Sequence, residues 1–386
     1  MFIIFIISLF LPLIMSGEDI KELLAKGDKL RHEGALDESK LHEAISYYDK
    51  VLQISPNYIP ALKGKADCLG SLRRFEEAEE ILKKCLAIDS NDYEVYRLKA
   101  TIIIEKTGDK EEAKEEVLKG IRVLDQLLAT NPDSSNLWYG KAHMLWTIDR
   151  HNEALSSLDQ AIKINPKRAE YWLQKGVILK DPEVRRYEDA LKAYNAGLKV
   201  APQDGLLWTH KTGLLLFLKR YKEALRCAEK EISLQPNLPR GWRHKANTLQ
   251  MLKRHKEAVE CYKKALELSF RKDYAAYYEI GWCYLEMGNF DSTIKYAEEY
   301  AETLQWKKRE DPMYKAFPEP ERFLRVLSRP YYLLACAYAG KNDDNKAIEY
   351  LKKAVELNPQ LKNLAKKSKY FQGLLHKEKF KKIVGE

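Results

Sequence analysis

An all-α chain, a series of helix hairpins stacked side by side, is the fold class this sequence predicts, and three observations predict it. The first is a stride. Pro132, Pro166, Pro202 and Pro236 lie 34, 36 and 34 residues apart, and Trp138, Trp172, Trp208 and Trp242 keep step with them. A fixed period of this length marks a repeat architecture. The second is spacing within one period. Trp138, Ala142 and Leu145, then Ala154, Leu158 and Ala161, return at i, i+4 or i+3, i+7, which puts each set on one helical face. The third is composition. With 386 residues, 45% hydrophobic and 32% charged, the chain can bury an extensive core and carries too much charge for a membrane bundle.

One unit reads as two antiparallel helices. An Ala follows each Trp by 16 residues, or 18 in one unit: Ala154, Ala190, Ala224 and Ala258. The polar run from Thr147 to Asn152 between the helices is a short connection. The Pro at the end of the unit closes the second helix, because the residue before a proline avoids the helical region. Small residues at Ala142, Gly176 and Ala246 let neighbouring helices approach, with a Trp beside each. The slots run aromatic at four, small at eight, large apolar at eleven, Ala at twenty, aromatic or apolar at twenty-four, Ala at twenty-seven and Pro at thirty-two. In these slots the chain resembles the tetratricopeptide repeat family over roughly residues 20–361. The resemblance implies a right-handed α-solenoid of about nine hairpins with C-terminal capping helices.

The units begin near Ile20, Ile59, Tyr93, Ser135, Ala169, Gly205, Pro239, Tyr274 and Ser328. Ala44, Tyr48 and Pro56 close the first, which carries about five extra residues around Ala35–Leu41. Ala66, Ala78 and Leu82 mark the second, and Ala100 and Ala113 the third, whose second helix is lengthened over 118–130. The fifth has a small insertion at Asp181-Pro182. Gly281, Tyr284, Gly288 and Phe290 mark the eighth; Ala335, Tyr338, Ala347, Leu351, Ala354 and Pro359 mark the ninth. The division is thus an apolar leader at 1–17, a repeat array at 18–361 with an insertion at 301–327, and basic capping helices at 362–386. Pro312, Pro318 and Pro320 bar a continuous helix through the insertion. Phe371, Leu374, Leu375, Phe380 and Ile383 are expected to cover the open end of the array, as repeat arrays require.

Charge is unevenly placed. The net is +9, and residues 361–386 hold eight Lys against two Glu. This basic tail is either a solvated helix face or a contact for an acidic partner, nucleic acid or a membrane surface. The leader is apolar from Phe2 to Met15, broken by Ser8 and Pro12, with no basic residue before Lys21. Three readings stay open: translated sequence upstream of a start at Met15, a signal peptide, or a membrane anchor.

No HExxH, GxSxG, CxxC or phosphate-loop motif is present, so neither catalysis nor a metal or cofactor is expected. His151 and His255 fall in inter-helix turns and are expected to be solvated. His210 and His244 share a slot in adjacent units, too far apart to bind a metal as a pair. The six Cys sit at helical slots as small buried hydrophobes, which suits a reducing, cytoplasmic setting. Lys recurs at the seventh slot as Lys65, Lys99, Lys141, Lys175, Lys211 and Lys245. It is either a stem packed over the Trp three residues earlier or a basic ladder for an acidic ligand.

By the resemblance, the first helices line a concave groove through their second, fifth, sixth, ninth and twelfth slots. The partner-binding residues expected there are Tyr139, His143, Trp146, Gln174, His210, Arg240, Arg243, His244, Asn247 and Trp282, with Thr209, Gln250 and Glu279 beside them. Donor-rich and aromatic side chains suit an extended peptide. The carboxylate-clamp version of this groove is incomplete: Arg243 and Asn247 match, but Glu279 stands where an Asn should be, and Arg329 is followed by Leu333. The expected function is a non-catalytic scaffold for a protein or peptide partner. An RNA or polyanion binder, using the Lys ladder and the tail, is the alternative, although nucleic acid is not the partner the Trp and Pro pattern favours. A membrane-tethered assembly factor is a third reading, if the leader is retained.

Overall fold

The stride turns into nine helix pairs among the residues described by the computed structural model, which are 17–34, 37–269, 274–310 and 320–385. The leader lies outside them as far as Ser16; Gly17 already begins a helix. No described helix is long and apolar enough to cross a membrane.

The pairs divide into two compact units, between Val200 and Ala201. The first holds α1 (Gly17–Glu33) with α2 (Glu38–Ile54), α3 (Ile59–Ser71) with α4 (Phe75–Ile88), α5 (Tyr93–Thr107) with α6 (Lys110–Thr130), α7 (Ser135–Thr147) with α8 (His151–Ile164), and α9 (Ala169–Leu179) with α10 (Tyr187–Val200). The second holds α11 (Gly205–Phe217) with α12 (Tyr221–Leu234), α13 (Pro239–Met251) with α14 (His255–Leu268), α15 (Tyr274–Glu286) with α16 (Phe290–Glu310), and α17 (Pro320–Gly340) with α18 (Asp344–Leu357). It ends in α19 (Leu361–Lys367), a 3-10 turn (Lys369–Leu374) and α20 (Glu378–Val384).

Four of the hairpins close on one local device. The first helix stops at a residue in the left-handed conformation, and the next N–H reaches back to the carbonyl five residues earlier. Arg73, Asp149, Lys219 and Lys253 hold φ between 58° and 61°. Arg74, Arg150, Arg220 and Arg254 follow, donating to Leu69, Leu145, Leu215 and Leu249 at 2.8–2.9 Å. Each of these Arg side chains then grips the Glu three residues on, at 2.5–2.7 Å, in the first turn of the second helix. Gly108 and Gly288 take the left-handed position in two other described hairpins.

The Trp–Pro coincidence also has a geometric cause. The indole Nε1–H of Trp138, Trp172, Trp208 and Trp242 donates to the carbonyl of Pro132, Pro166, Pro202 and Pro236 at 2.8, 3.0, 2.9 and 2.8 Å. These indoles are half-buried, not core. The largest fully buried side chains are tyrosines instead, Tyr48, Tyr171, Tyr194, Tyr262 and Tyr300. The small slots make room for two of them. A Cβ on Gly176 would sit 2.2 Å from Tyr194 Cε1, and one on Gly27 would sit 2.8 Å from Tyr48 Cε1. Where the small residue is Ala66 or Ala142, a fully buried Leu82 or Leu158 takes the ring's place.

Two regions depart from the regular pattern. The stretch 301–327 is not one spacer: 301–310 continue α16, 320–327 are the first turns of α17, and 311–319 lie outside the described residues. Pro320 is tolerated as the first residue of a helix, where its missing N–H would be unsatisfied anyway. The terminal segment buries Phe371, Leu374 and Phe380 under α17 and α18, with Tyr332 edge-on to Phe371 at 5.8 Å.

Candidate interaction surface

First helices of several successive pairs touch, α1 with α3, α3 with α5 and α7 with α9 in the first unit, and α11 with α13 and α15 with α17 in the second. In the first unit these helices carry Tyr139, His143 and Trp146 on α7 and Gln174 on α9. The Tyr139 ring lies 5.0 Å from that of buried Tyr171, whose hydroxyl donates to Asn136 Oδ1 at 2.8 Å. His143 stands edge-on to Trp146 at 5.9 Å. Burial, reinforced by the positive charge of Arg97 on α5, pulls its pKa down to about 4, so the ring is neutral at pH 7. Its Nδ1 is buried without a protein partner, and so is Nε2 of Gln174.

In the second unit the expected donors are largely occupied by the protein itself. Glu231 on α12 is 2% exposed and collects Thr209 Oγ1 at 2.8 Å, His244 Nδ1 at 3.0 Å and Arg240 Nε at 3.3 Å. Burial raises the pKa of this carboxyl. The hydrogen bonds from His244 and Thr209 and the charge of Arg240 outweigh it, leaving the group below the usual range. Asn247 Oδ1 and Gln250 Oε1 lie 2.6 and 2.7 Å from the Tyr262 hydroxyl, and Gln250 Nε2 donates to Glu279 at 2.9 Å. Burial pushes Glu279 up despite that bond and the charge of Arg329. Trp282 lies 6.2 Å from Tyr278, and the Arg329 guanidinium sits over the Tyr278 ring at 5.6 Å. His210 is half-buried and Arg243 is exposed.

Arg97, Glu231, Tyr262 and Tyr278 were not among the expected residues. Arg97 holds the fifth slot of its repeat, the slot of Tyr139, so register alone could have found it. Glu231 and Tyr262 lie on second helices, where the slot rule does not look.

The Lys ladder resolves into internal pairs. Lys65, Lys141, Lys175 and Lys245 meet an acid sixteen residues earlier, on the preceding second helix: Asp49 at 2.6 Å, Asp125 at 2.6 Å, Asp159 at 2.5 Å and Glu229 at 3.2 Å. Lys99 pairs with Glu116 of its own hairpin at 3.0 Å. Lys141, Lys175 and Lys211 lie over Trp138, Trp172 and Trp208 at 5.5, 6.0 and 5.2 Å. In these three it is the ammonium that lies over the ring, and those of Lys141 and Lys175 are ion-paired as well.

The histidines of the turns differ from expectation. His151 is 8% exposed, not solvated, because the Asp181-Pro182 insertion folds over it; Nε2 is 3.2 Å from Glu183 and 3.7 Å from Asp181. His255 is half-buried. All six cysteines are buried and free, and burial raises the Cys68 thiol to about 12.

Profiles of the tetratricopeptide repeat match residues 35–102, 135–168, 239–269, 275–303 and 328–361. The chain belongs to the tetratricopeptide repeat family. It is 23% identical to mouse (Mus musculus) anaphase-promoting complex subunit 7 over 192 residues, which is 49% of this chain and 31% of that protein. It is 25% identical to the human (Homo sapiens) protein O-mannosyl-transferase TMTC1 over 186 residues, 47% of this chain and 20% of that protein. The matched parts thus span a third or less of these relatives. Among solved structures, the APC/C hetero-tetramer Cut9-Hcn1 aligns with a TM-score of 0.47 at 16% identity, covering 85% of this chain and 59% of that one. YrrB, titled a TPR protein with an unusual peptide-binding site, aligns at 0.41 and 22%, covering 55% and 100%.

Proposed function

We propose that this protein is a non-catalytic scaffold whose first-helix face in the first unit holds an extended peptide segment of a partner protein. One observation carries the reading. His143 Nδ1 and Gln174 Nε2 are both buried and lack a protein partner, and both belong to the slots expected to face a ligand. An unmet buried polar group costs about 1–3 kcal/mol. A neutral imidazole offers one donor and one acceptor, and a peptide backbone supplies the complement of each. Tyr139 and Trp146 flank these groups with aromatic surface that side chains of the peptide can cover. Relatives assigned to the anaphase-promoting complex fit a role in assembly. A cytoplasmic location accords with the free, buried cysteines.

The polyanion reading is not favoured, since five ladder lysines are already neutralised by carboxylates. Selection of peptides from a displayed library on the full chain tests the proposal. Selected peptides should lose about tenfold or more in affinity for His143→Ala and Trp146→Ala, the range of a modest hot spot. Undiminished binding to both variants refutes the site.

A further inference from the structure

The terminal segment makes a second surface. Between α18 and α20 lies a cleft of about 610 Å³, the size of a small-ligand or side-chain pocket. Its floor is aliphatic: Ile348, Val355, Pro359 and Ile383. Its rim is cationic: Lys352, Lys362, Lys379 and Lys382. The one acid of the lining, Glu356, lies 3.8 Å from Lys352. Among the described residues no carboxylate comes within 4 Å of the ammonium groups of Lys362, Lys379 or Lys382. Other lysines of the same segment are paired, Lys369 with Glu286 at 2.9 Å, Lys377 with Asp344, and Lys381 with Glu378 at 3.7 Å. The basic tail is therefore not uniformly compensated. Three of its lysines without a carboxylate partner, Lys362, Lys379 and Lys382, line this cleft beside its apolar floor.

We infer that this cleft is a docking site for an acidic peptide segment that carries a large apolar side chain. Each half of the occupant answers one feature. Carboxylates relieve the mutual repulsion of the rim and give the encounter long-range attraction. The apolar side chain covers the floor, for which an inorganic anion has no use. A nucleic acid fits less well, because single strands bind by stacking on aromatic rings and the lining has none. This surface lies on the terminal cap, apart from the first-helix face, and stands or falls independently of it.

Fluorescence anisotropy on the full chain tests the inference. The probe is a fluorescein-labelled peptide of Asp and Glu residues flanking a central Phe-Leu pair. Two control peptides replace the acids by Asn and Gln, or Phe-Leu by Ser-Ser, and an oligo-dT of similar length serves as competitor. The triple variant Lys362→Gln, Lys379→Gln, Lys382→Gln touches exposed or half-exposed side chains, so its helical content should be unchanged. It should lose about tenfold or more in affinity, and both control peptides should bind comparably weakly. His143→Ala should leave binding of the probe unchanged. Equal binding of the triple variant, equal binding of the Ser-Ser peptide, or displacement of the probe by oligo-dT at equal concentration would each overturn it.

Discussion

At the scale of single residues, Trp172 illustrates how a repeated letter can mean something other than core. Its indole is half-buried and tied to Pro166 at 3.0 Å. A fully buried Trp truncated to Ala costs about 3–5 kcal/mol. For Trp172→Ala about 2 kcal/mol is expected, since much of that area is already in water. Trp172→Phe should cost about 1 kcal/mol, the net worth of the lost N–H···O bond. Urea titration of the two variants separates ring from bond.

His143 gives a pH prediction. Its folded pKa, about 4, lies below the ordinary 6.5. The unfolded chain therefore takes up the proton first as pH falls. Stability from this group is fully present above about 6.5 and lost as pH drops toward 4, on the order of 3 kcal/mol in all. His143→Phe should flatten the urea midpoint between pH 7 and 4. An unchanged slope would mean that the ring is hydrated.

At the scale of elements, the hairpin turn and the small–large pairing are each open to test. Lys253 holds φ 60° with a side chain that disfavours it. Lys253→Gly should stabilise the chain by about 0.5–1 kcal/mol, the cost of a left-handed L-residue relieved; a lower Tm would mean that the Lys stem packs. Gly176→Ala drives a methyl into Tyr194 and should cost about 1–3 kcal/mol. The double variant Gly176→Ala, Tyr194→Leu recreates the Ala142 and Leu158 pair of the preceding repeat, and thermal unfolding should show part of the loss restored. The legible part of each element was its period: helix starts at Ile59, Tyr93, Ser135, Ala169, Gly205, Pro239 and Tyr274 coincide with the slots read from the sequence. The start near Ser328 did not, because the helix runs back to Pro320. Proline at a first helical position is permitted, while the same proline read as part of a cluster looks like a break.

At the scale of the whole molecule, stability is a sum of local pairs and their interfaces, so damage should stay where it is made. Ending the chain after Pro359 removes Phe371 and Phe380 and uncovers the apolar faces of α17 and α18. Hydrogen exchange should then accelerate in α15–α18 and remain unchanged in α1–α8. Uniform acceleration would show a single cooperative fold. The expected binding residues divide at this scale as well. Tyr139, His143, Trp146 and Gln174 lie in the first unit, the remaining six in the second.

Local chemistry was written in the chain. The stride, the helix ends, the small slots and the buried free cysteines follow from residue type and spacing, because each depends on neighbours within one hairpin. Tertiary structure decided which polar groups are already spoken for. Four of the ladder lysines meet acids on the preceding second helix, Arg240 and His244 turn to a buried Glu231, and Asp181 and Glu183 cover His151. Whether a donor is free for a partner depends on which acid the fold places within about 3 Å of it, and such a contact falls off too steeply with distance for spacing along a chain to reveal it.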